Sequence, residues 1–439
     1  MFKDIFGLTL VSSLRFFGLF IALPAISLYT SSFETSAFLA GIAAGGYAIT
    51  QIIFQTPFGI WSDKVDRKIV LIFGLVIFII GSFVCAFADS ITILIIGRFI
   101  QGAGAIGGVI SAQIADLVRE ESRTKAMAIM GAGIFISFIL AMILGPIVAA
   151  YLGLNAIFFL TAGLNLIALL VLIFKVESSP VMQYSYQDSQ VETLLKNKNL
   201  QIMNLSSFLQ KFLMILSFVV VGMALKNHFA LYEFDLWKIY APAAILGLLM
   251  LAPATILAQK KGYFKQVLLF GIGAFGAAYL LIGIAGAMES LWLLVVGVFL
   301  FFIGFSVHEP IMQTLTSRYA KAAQKGSALG LFTTLGFVGS ALGAVCGGLF
   351  YELFDISLLA CGVIIVCVLW AIVMALGLQN PTHEKNLYLP LDSFNLGHFT
   401  RLNVRFGIIE WYVNSTQGVI VVKYEESKIS KEEILESVT

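Results

Sequence analysis

Charge is the scarcest commodity in this chain. Asp, Glu, Lys and Arg make up 12% of 439 residues, while hydrophobic residues make up 59% and the mean hydropathy is +0.95. A soluble domain carries about 25% charged residues. So few charges cannot wet the surface of a soluble core this large, which excludes a soluble enzyme, a nucleic-acid binder and a disordered chain. Cysteine is also sparse. Cys85, Cys346, Cys361 and Cys367 sit in apolar runs without CxxC spacing or a His neighbour, which excludes a cysteine metal site and leaves small buried hydrophobes. The short alternating segments of an outer-membrane barrel are missing too; the apolar runs exceed the length of a membrane-crossing helix instead.

What is present is a series of long apolar runs. They predict twelve helices over residues 5–30, 36–61, 69–88, 91–118, 124–150, 155–175, 200–226, 236–259, 265–287, 290–319, 325–351 and 356–377. The N-terminal run lacks a small-residue cleavage site and reads as a retained first span. The polar stretch 176–199 divides the runs into an N-terminal half, 1–175, and a C-terminal half, 200–379. Fifteen Lys and Arg flank the even-to-odd connections, among them Lys64, Arg67, Lys68, Arg123 and Arg318; the opposite connections carry only Lys226 and Lys238. The positive-inside rule then places both termini and the linker in the cytoplasm. A shift of 200 residues aligns Gly97 with Gly297, Gly104 with Gly304 and Gln113 with Gln313, a weak sign of repeated halves.

Residues 386–439 are different. They read as strand, helix (393–406), strand, strand, helix, with Ser415-Thr416-Gln417-Gly418 as a turn. That order predicts a small ferredoxin-like domain lacking its last strand, on the cytoplasmic side. A core that small suggests docking, regulation or self-association through this domain. His383 and His398 are isolated, and no metal site is expected.

Five ionisable residues lie deep in the runs: Arg15, Arg98, Lys211, His308 and Glu309. Charge at such depth is expensive and normally faces a cavity or a partner. Glu309 reads as a proton-binding coupling group, or as a structural acid held by a cation, or as a solvated group in a vestibule. Arg15 can hold a substrate anion, act as counter-charge to Glu309, or serve carbonyls and polar side chains. Lys211 can snorkel. His308 and Glu309 adjoin in sequence but point about 100° apart on a helix. Arg15, Lys211 and Glu309, with Phe16, Phe20, Gln101 and Phe305, are expected to line a substrate cavity, although aromatics at this spacing can equally be packing; Glu309, His308, Arg15 and Arg98 are expected to serve proton coupling. The excess of permanent cations leans toward neutral or anionic substrates.

The loop Gly59-Ile60-Trp61-Ser62-Asp63-Lys64-Val65-Asp66-Arg67-Lys68 resembles the signature loop of the major facilitator superfamily. Arg98-Phe99-Ile100-Gln101-Gly102 resembles its intramembrane Arg motif, and Gly145-Pro146 part of its exporter motif. Ser13-Leu14-Arg15, Gln55-Thr56-Pro57-Phe58-Gly59 and Arg123-Thr124-Lys125 are similar to an exporter-like subgroup with a ferredoxin-like C-terminal domain. Asp66 departs from the family's second loop glycine, and Ala149 and Ala150 from its exporter glycines. The resemblance implies an all-α polytopic fold of twelve helices in two six-helix halves, plus the small α+β domain. It implies a proton-coupled exporter of small molecules in a bacterial inner membrane, driven by the proton gradient without a cofactor. An uptake transporter and a transporter-like sensor are the alternatives. It further implies a cytoplasmic gate of Gly59, Asp63, Lys64, Arg67, Lys68, Asp116 and Arg123. In that gate Asp63 faces the start of span 11 at Gly326-Ser327 and Arg67 pairs with Asp116, contacts made when the inner side closes. Gly145 and Pro146 are expected to bend span 5 as a hinge, and the glycines of span 4 to allow close packing.

Overall fold

The computed structural model describes residues 2–29, 35–62, 64–118, 120–178, 196–229, 235–320, 325–379, 384–391, 399, 402, 406–414, 419–425 and 428–438. It forms two compact units, Met1–Leu378 and Gln379–Thr439.

Twelve helical spans of the first unit are long and apolar enough to cross a membrane: Ile5–Ile26, Ala37–Ser62, Arg67–Ala86, Ile91–Ile114, Ile129–Leu152, Leu154–Lys175, Lys198–Asn227, Leu236–Lys261, Phe264–Met288, Leu291–Tyr319, Ser327–Leu353 and Ile356–Gly377. They are numbered spans 1 to 12 below. Two are interrupted. Span 1 breaks after Phe20 and resumes as Leu23–Tyr29, because Pro24 has no amide to offer the Phe20 carbonyl. Span 4 breaks without a proline, between Ile91–Ala103 and Gly107–Leu117. Tight backbone bonds from Ala105 to the Ala103 carbonyl (2.9 Å) and from Ile106 to the Gly104 carbonyl (3.0 Å) replace the helical ladder there. Gly104 lies against the Gly74 carbonyl of span 3, where a side chain has no room.

The halves meet chiefly through span 2 on span 11 and span 5 on span 8. Small residues make the first contact close: Gly41 and Gly45 lie on Ala344, and Gly348 lies on Ala37 and Phe38. In lipid, where apolar burial supplies no drive between helices, backbone approach of this kind supplies the packing. These residues occupy the first turns of span 2 and the last turns of span 11, so contact is made at the end away from the basic loops. At the other ends of the same spans, Gly59 and Gly330 have open space where a side chain would sit. Spans 2 and 11 thus seal the first unit at the end away from the basic loops.

The second unit contains an antiparallel sheet of β1 (Glu384–Pro390), β2 (Ile408–Asn414) and β3 (Val419–Glu425), in the order β1-β3-β2. Leu387, Leu389, Ile420, Val422 and Tyr424 pack with Phe399, Leu402, Ile429 and Ile434. A capping box starts the last helix, Lys431–Val438: the Glu433 amide donates to Ser430 Oγ (3.2 Å) and the Ser430 amide to Glu433 Oε2 (3.3 Å). Sheet order and polarity match a ferredoxin-like domain without its final strand. Most of the expected helix 393–406, the 415–418 turn, His383 and His398 lie outside the described residues.

Candidate functional site

The deep acid has a cation. Lys211 Nζ of span 7 donates to Glu309 Oε2 of span 10 at 2.8 Å, with side chains 19% and 14% exposed. Gln313, one turn further along span 10, donates to Glu309 Oε1 at 3.3 Å. The ammonium also lies 4.9 Å from the centre of the Phe305 ring.

The other deep ionisable groups stand elsewhere. His308 is turned away from Glu309, fully buried between Phe275 and Trp370 at ring separations of 6.2 and 5.0 Å. Arg15 is not the counter-charge of Glu309. Its Nη2 donates to Gln51 Oε1 and to the Gly104 carbonyl, both at 2.8 Å, and it lies beside the rings of Phe16 and Phe78. Arg98 donates from Nε and Nη2 to the Ala43 and Ala44 carbonyls (3.2 and 3.1 Å) and from Nη1 to Gln101 Oε1 (2.8 Å), over the Tyr47 ring. Gln101 passes a further bond to Ser82 Oγ at 2.8 Å. Gln101 was expected on a cavity wall; it is fully buried among spans 2, 3 and 4, because two polar groups four residues or fewer apart satisfy each other inside the half.

Phe16, Phe20 and Phe305 belong to a chain of rings that crosses between the halves. Phe16 stacks on Phe20 (5.7 Å), Phe20 meets Phe138 edge-on (5.3 Å), and Phe138 meets Phe305 (4.7 Å). Phe302 continues it to Phe218 (6.2 Å) and Tyr240 (6.1 Å). Phe302 and Phe305 precede Glu309 in span 10, and Phe218 follows Lys211 in span 7. The rings therefore lie between the ion pair and the sealed end. Phe138, Phe218 and Tyr240 were missed in the sequence, where nothing distinguishes them from other aromatics of the spans.

At the basic end the signature loop is held mostly within the N-terminal half. Arg67 Nε and Asp116 Oδ2 are 2.9 Å apart. This pair was expected to form when the basic end closes. Both partners sit in the same half, so the pair is not a contact between the halves. Lys68 Nζ donates to the carbonyls of Ile173 (2.9 Å) and Val176 (2.8 Å) and so caps span 6. Asp66 explains its departure from glycine. Its φ is −54°, which needs no glycine, and its carboxylate accepts the Lys68 amide at 2.9 Å as the N-cap of span 3. Ser62 Oγ bonds the Gly59 carbonyl (2.8 Å), and Lys64 is exposed. Asp63 and the side chain of Arg123 lie outside the described residues. The helix containing span 5, Glu120–Leu152, runs continuously through Pro146, and Gly145 lies against the Ile21 carbonyl. Gly145 thus acts as a close-contact point between spans 5 and 1. Among the described residues no group of three or more His, Cys, Asp and Glu could hold a metal.

The family model described as Major Facilitator Superfamily matches residues 8–344 and 239–421. The chain is 32% identical to the inner membrane transport protein YajR of Escherichia coli strain K12, covering 98% of this chain and 96% of that one. It is 32% identical to the class E tetracycline resistance protein of Escherichia coli over 42% of this chain and 44% of that one. A crystal structure of a D-xylose-proton symporter matches with a TM-score of 0.72 at 16% identity, over 87% of this chain and 98% of that one, a likeness of fold. Twelve spans in two halves and these matches lead to one conclusion: the chain belongs to the major facilitator superfamily and is a secondary transporter working by alternating access, not an enzyme.

Proposed function

We propose that the protein is a proton-coupled exporter of small molecules in a bacterial inner membrane, with its termini and its 379–439 unit in the cytoplasm. The Lys211–Glu309 pair carries the proton-coupling reading. In this conformation the pair is formed, with Glu309 as the deprotonated partner of Lys211. A proton entering from the outside neutralises Glu309, removes the partner of Lys211 and leaves a cation to be solvated or paired afresh. That changes the relative free energy of the two conformations, as coupling requires. The loop asymmetry of fifteen basic residues against two supports the orientation. Gly145-Pro146 and the likeness to a tetracycline resistance protein support export. The proton gradient supplies the drive, and no cofactor is invoked.

The test is a substrate screen in proteoliposomes under an imposed pH gradient. Wild-type flux should follow the gradient. Glu309→Gln should exchange substrate without responding to pH; a wild-type response in that variant would overturn the coupling role. The 379–439 unit is proposed to regulate transport or join copies of the chain. A truncation after Asn380 that changes neither rate nor oligomeric state would remove both roles.

A further inference from the structure

The break in span 4 faces a buried arginine that lacks an anion. Arg15 has no exposed surface, and its protein partners are all neutral: Gln51, the Gly104 carbonyl and the rings of Phe16 and Phe78. Its Nε and Nη1 have no hydrogen-bond partner. A guanidinium stays protonated, and a buried charge with idle donors is costly. Two neutral acceptors and two rings offset it only in part.

Next to those donors a helix begins in mid-span. Gly107–Leu117 starts with no side chain capping it. The first helical bond runs from Ile110 to the Ile106 carbonyl (3.0 Å), so the amides of Gly107, Gly108 and Val109 have no acceptor in the helix. Such an end attracts negative charge. The space is free. A side chain at Gly107 would meet only Arg15 Nη1 and Phe16 Cζ, each at 3.9 Å, and one at Gly108 would meet nothing within 4 Å. Gly108 is exposed and Phe16 half-buried, so the helix start is open on one side with an apolar wall, while the Arg15 donors lie just beneath the surface and are reached by a small shift of Phe16.

We propose that Arg15 and the amides of Gly107 and Gly108 form a subsite for the carboxylate of an organic anion, whose apolar body lies along Phe16. Three features converge on one spot: idle charged donors, an uncapped helix start and the absence of side chains above it. Discontinuous spans use their half-helix starts in this way in other transporters. The proposal names a substrate class for the transporter argued above, and rests on that reading only for calling the anion a substrate. Binding itself is measured without flux.

The experiment is thermal unfolding of the full chain in detergent, titrated with benzoate, with its neutral counterpart benzamide, and with sodium chloride. Benzoate should raise the unfolding midpoint, and benzamide and chloride should not. Arg15→Gln and Gly108→Val should each weaken the apparent benzoate affinity at least tenfold. Gly108→Val fills open space, so it keeps the test decisive should Arg15→Gln fail to fold. A benzoate shift no larger than that of benzamide or chloride would overturn the subsite, as would wild-type shifts in every variant that folds. Abolition of the benzoate shift by added phosphatidylglycerol would reassign the site to a lipid headgroup and overturn the substrate reading. Pairing these results with the Glu309→Gln flux assay separates the two claims, since a missing benzoate shift leaves proton coupling standing and the reverse holds equally.

Discussion

The backbone amide of Phe38, in the first turn of span 2, donates to the Glu352 carboxylate at the end of span 11 at 3.0 Å. This bond joins the two halves at the sealed end. It places an acid at a helix start, where unpaired amides and the helix dipole favour it. Moving the halves apart at that end must break it.

Removal of this cap should therefore favour opening of the sealed end. N-caps contribute about 1 kcal/mol, equal to about a fivefold change in the ratio of the two conformations. Spin labels on Ser36→Cys and Leu353→Cys, both exposed, should report a larger long-distance population in Glu352→Ala than in the wild-type background.

Gly41 gives a sharper perturbation of the same contact. A side chain there meets the Ala344 carbonyl oxygen, a backbone atom that no rotamer change can move. Gly41→Val should block sealing, so the same labels should show the open distance almost alone. Transport should fall at least a hundredfold while the protein is still made and inserted.

Lys211 and Glu309 should be strongly non-additive. Loss of one partner leaves the other partly buried and unpaired, which costs more than loss of both. Lys211→Met should lower the unfolding temperature more than Lys211→Met combined with Glu309→Gln. A double-mutant cycle with coupling of about 1 kcal/mol or more checks this.

The ring chain should act as the seal above the ion pair. Phe138 is buried and touches Phe20, Phe302 and Phe305 from both halves. Phe138→Ala should raise passive proton conductance of proteoliposomes, and Phe138→Leu, which keeps most of the volume, should not. Phe138→Ala should also cost about 3–5 kcal/mol of stability.

Asp66 tests whether the signature loop here depends on a cap or on a turn. Asp66→Ala should cost about 1 kcal/mol, and Asp66→Gly only a few tenths. If the loop needed glycine's conformational freedom, Asp66→Gly would stabilise the protein. Thermal unfolding decides between the two.

The sequence by itself determined the twelve spans, because a membrane-crossing helix is announced by length and hydropathy, and both are local. It determined the loop asymmetry and most of the βαββα order of the last residues for the same reason. It also narrowed the buried charge to Arg15, Arg98, Lys211, His308 and Glu309. Which of these meet was decided by the tertiary structure alone. His308 and Glu309 are neighbours in sequence yet face different surroundings, since successive helix residues are rotated by about 100°. Lys211 and Glu309 are 98 positions apart and share a hydrogen bond. Gln101 looks like a cavity residue on paper and Arg98 like a coupling residue, and both are consumed within one half. The break in span 4 has no proline to announce it; it follows from the packing of Gly104 on span 3 and the bond from Arg15. Span formation follows from local solvation of the chain. Pairing of charges depends on helix rotation and crossing, and these are set by contacts distributed over the whole bundle.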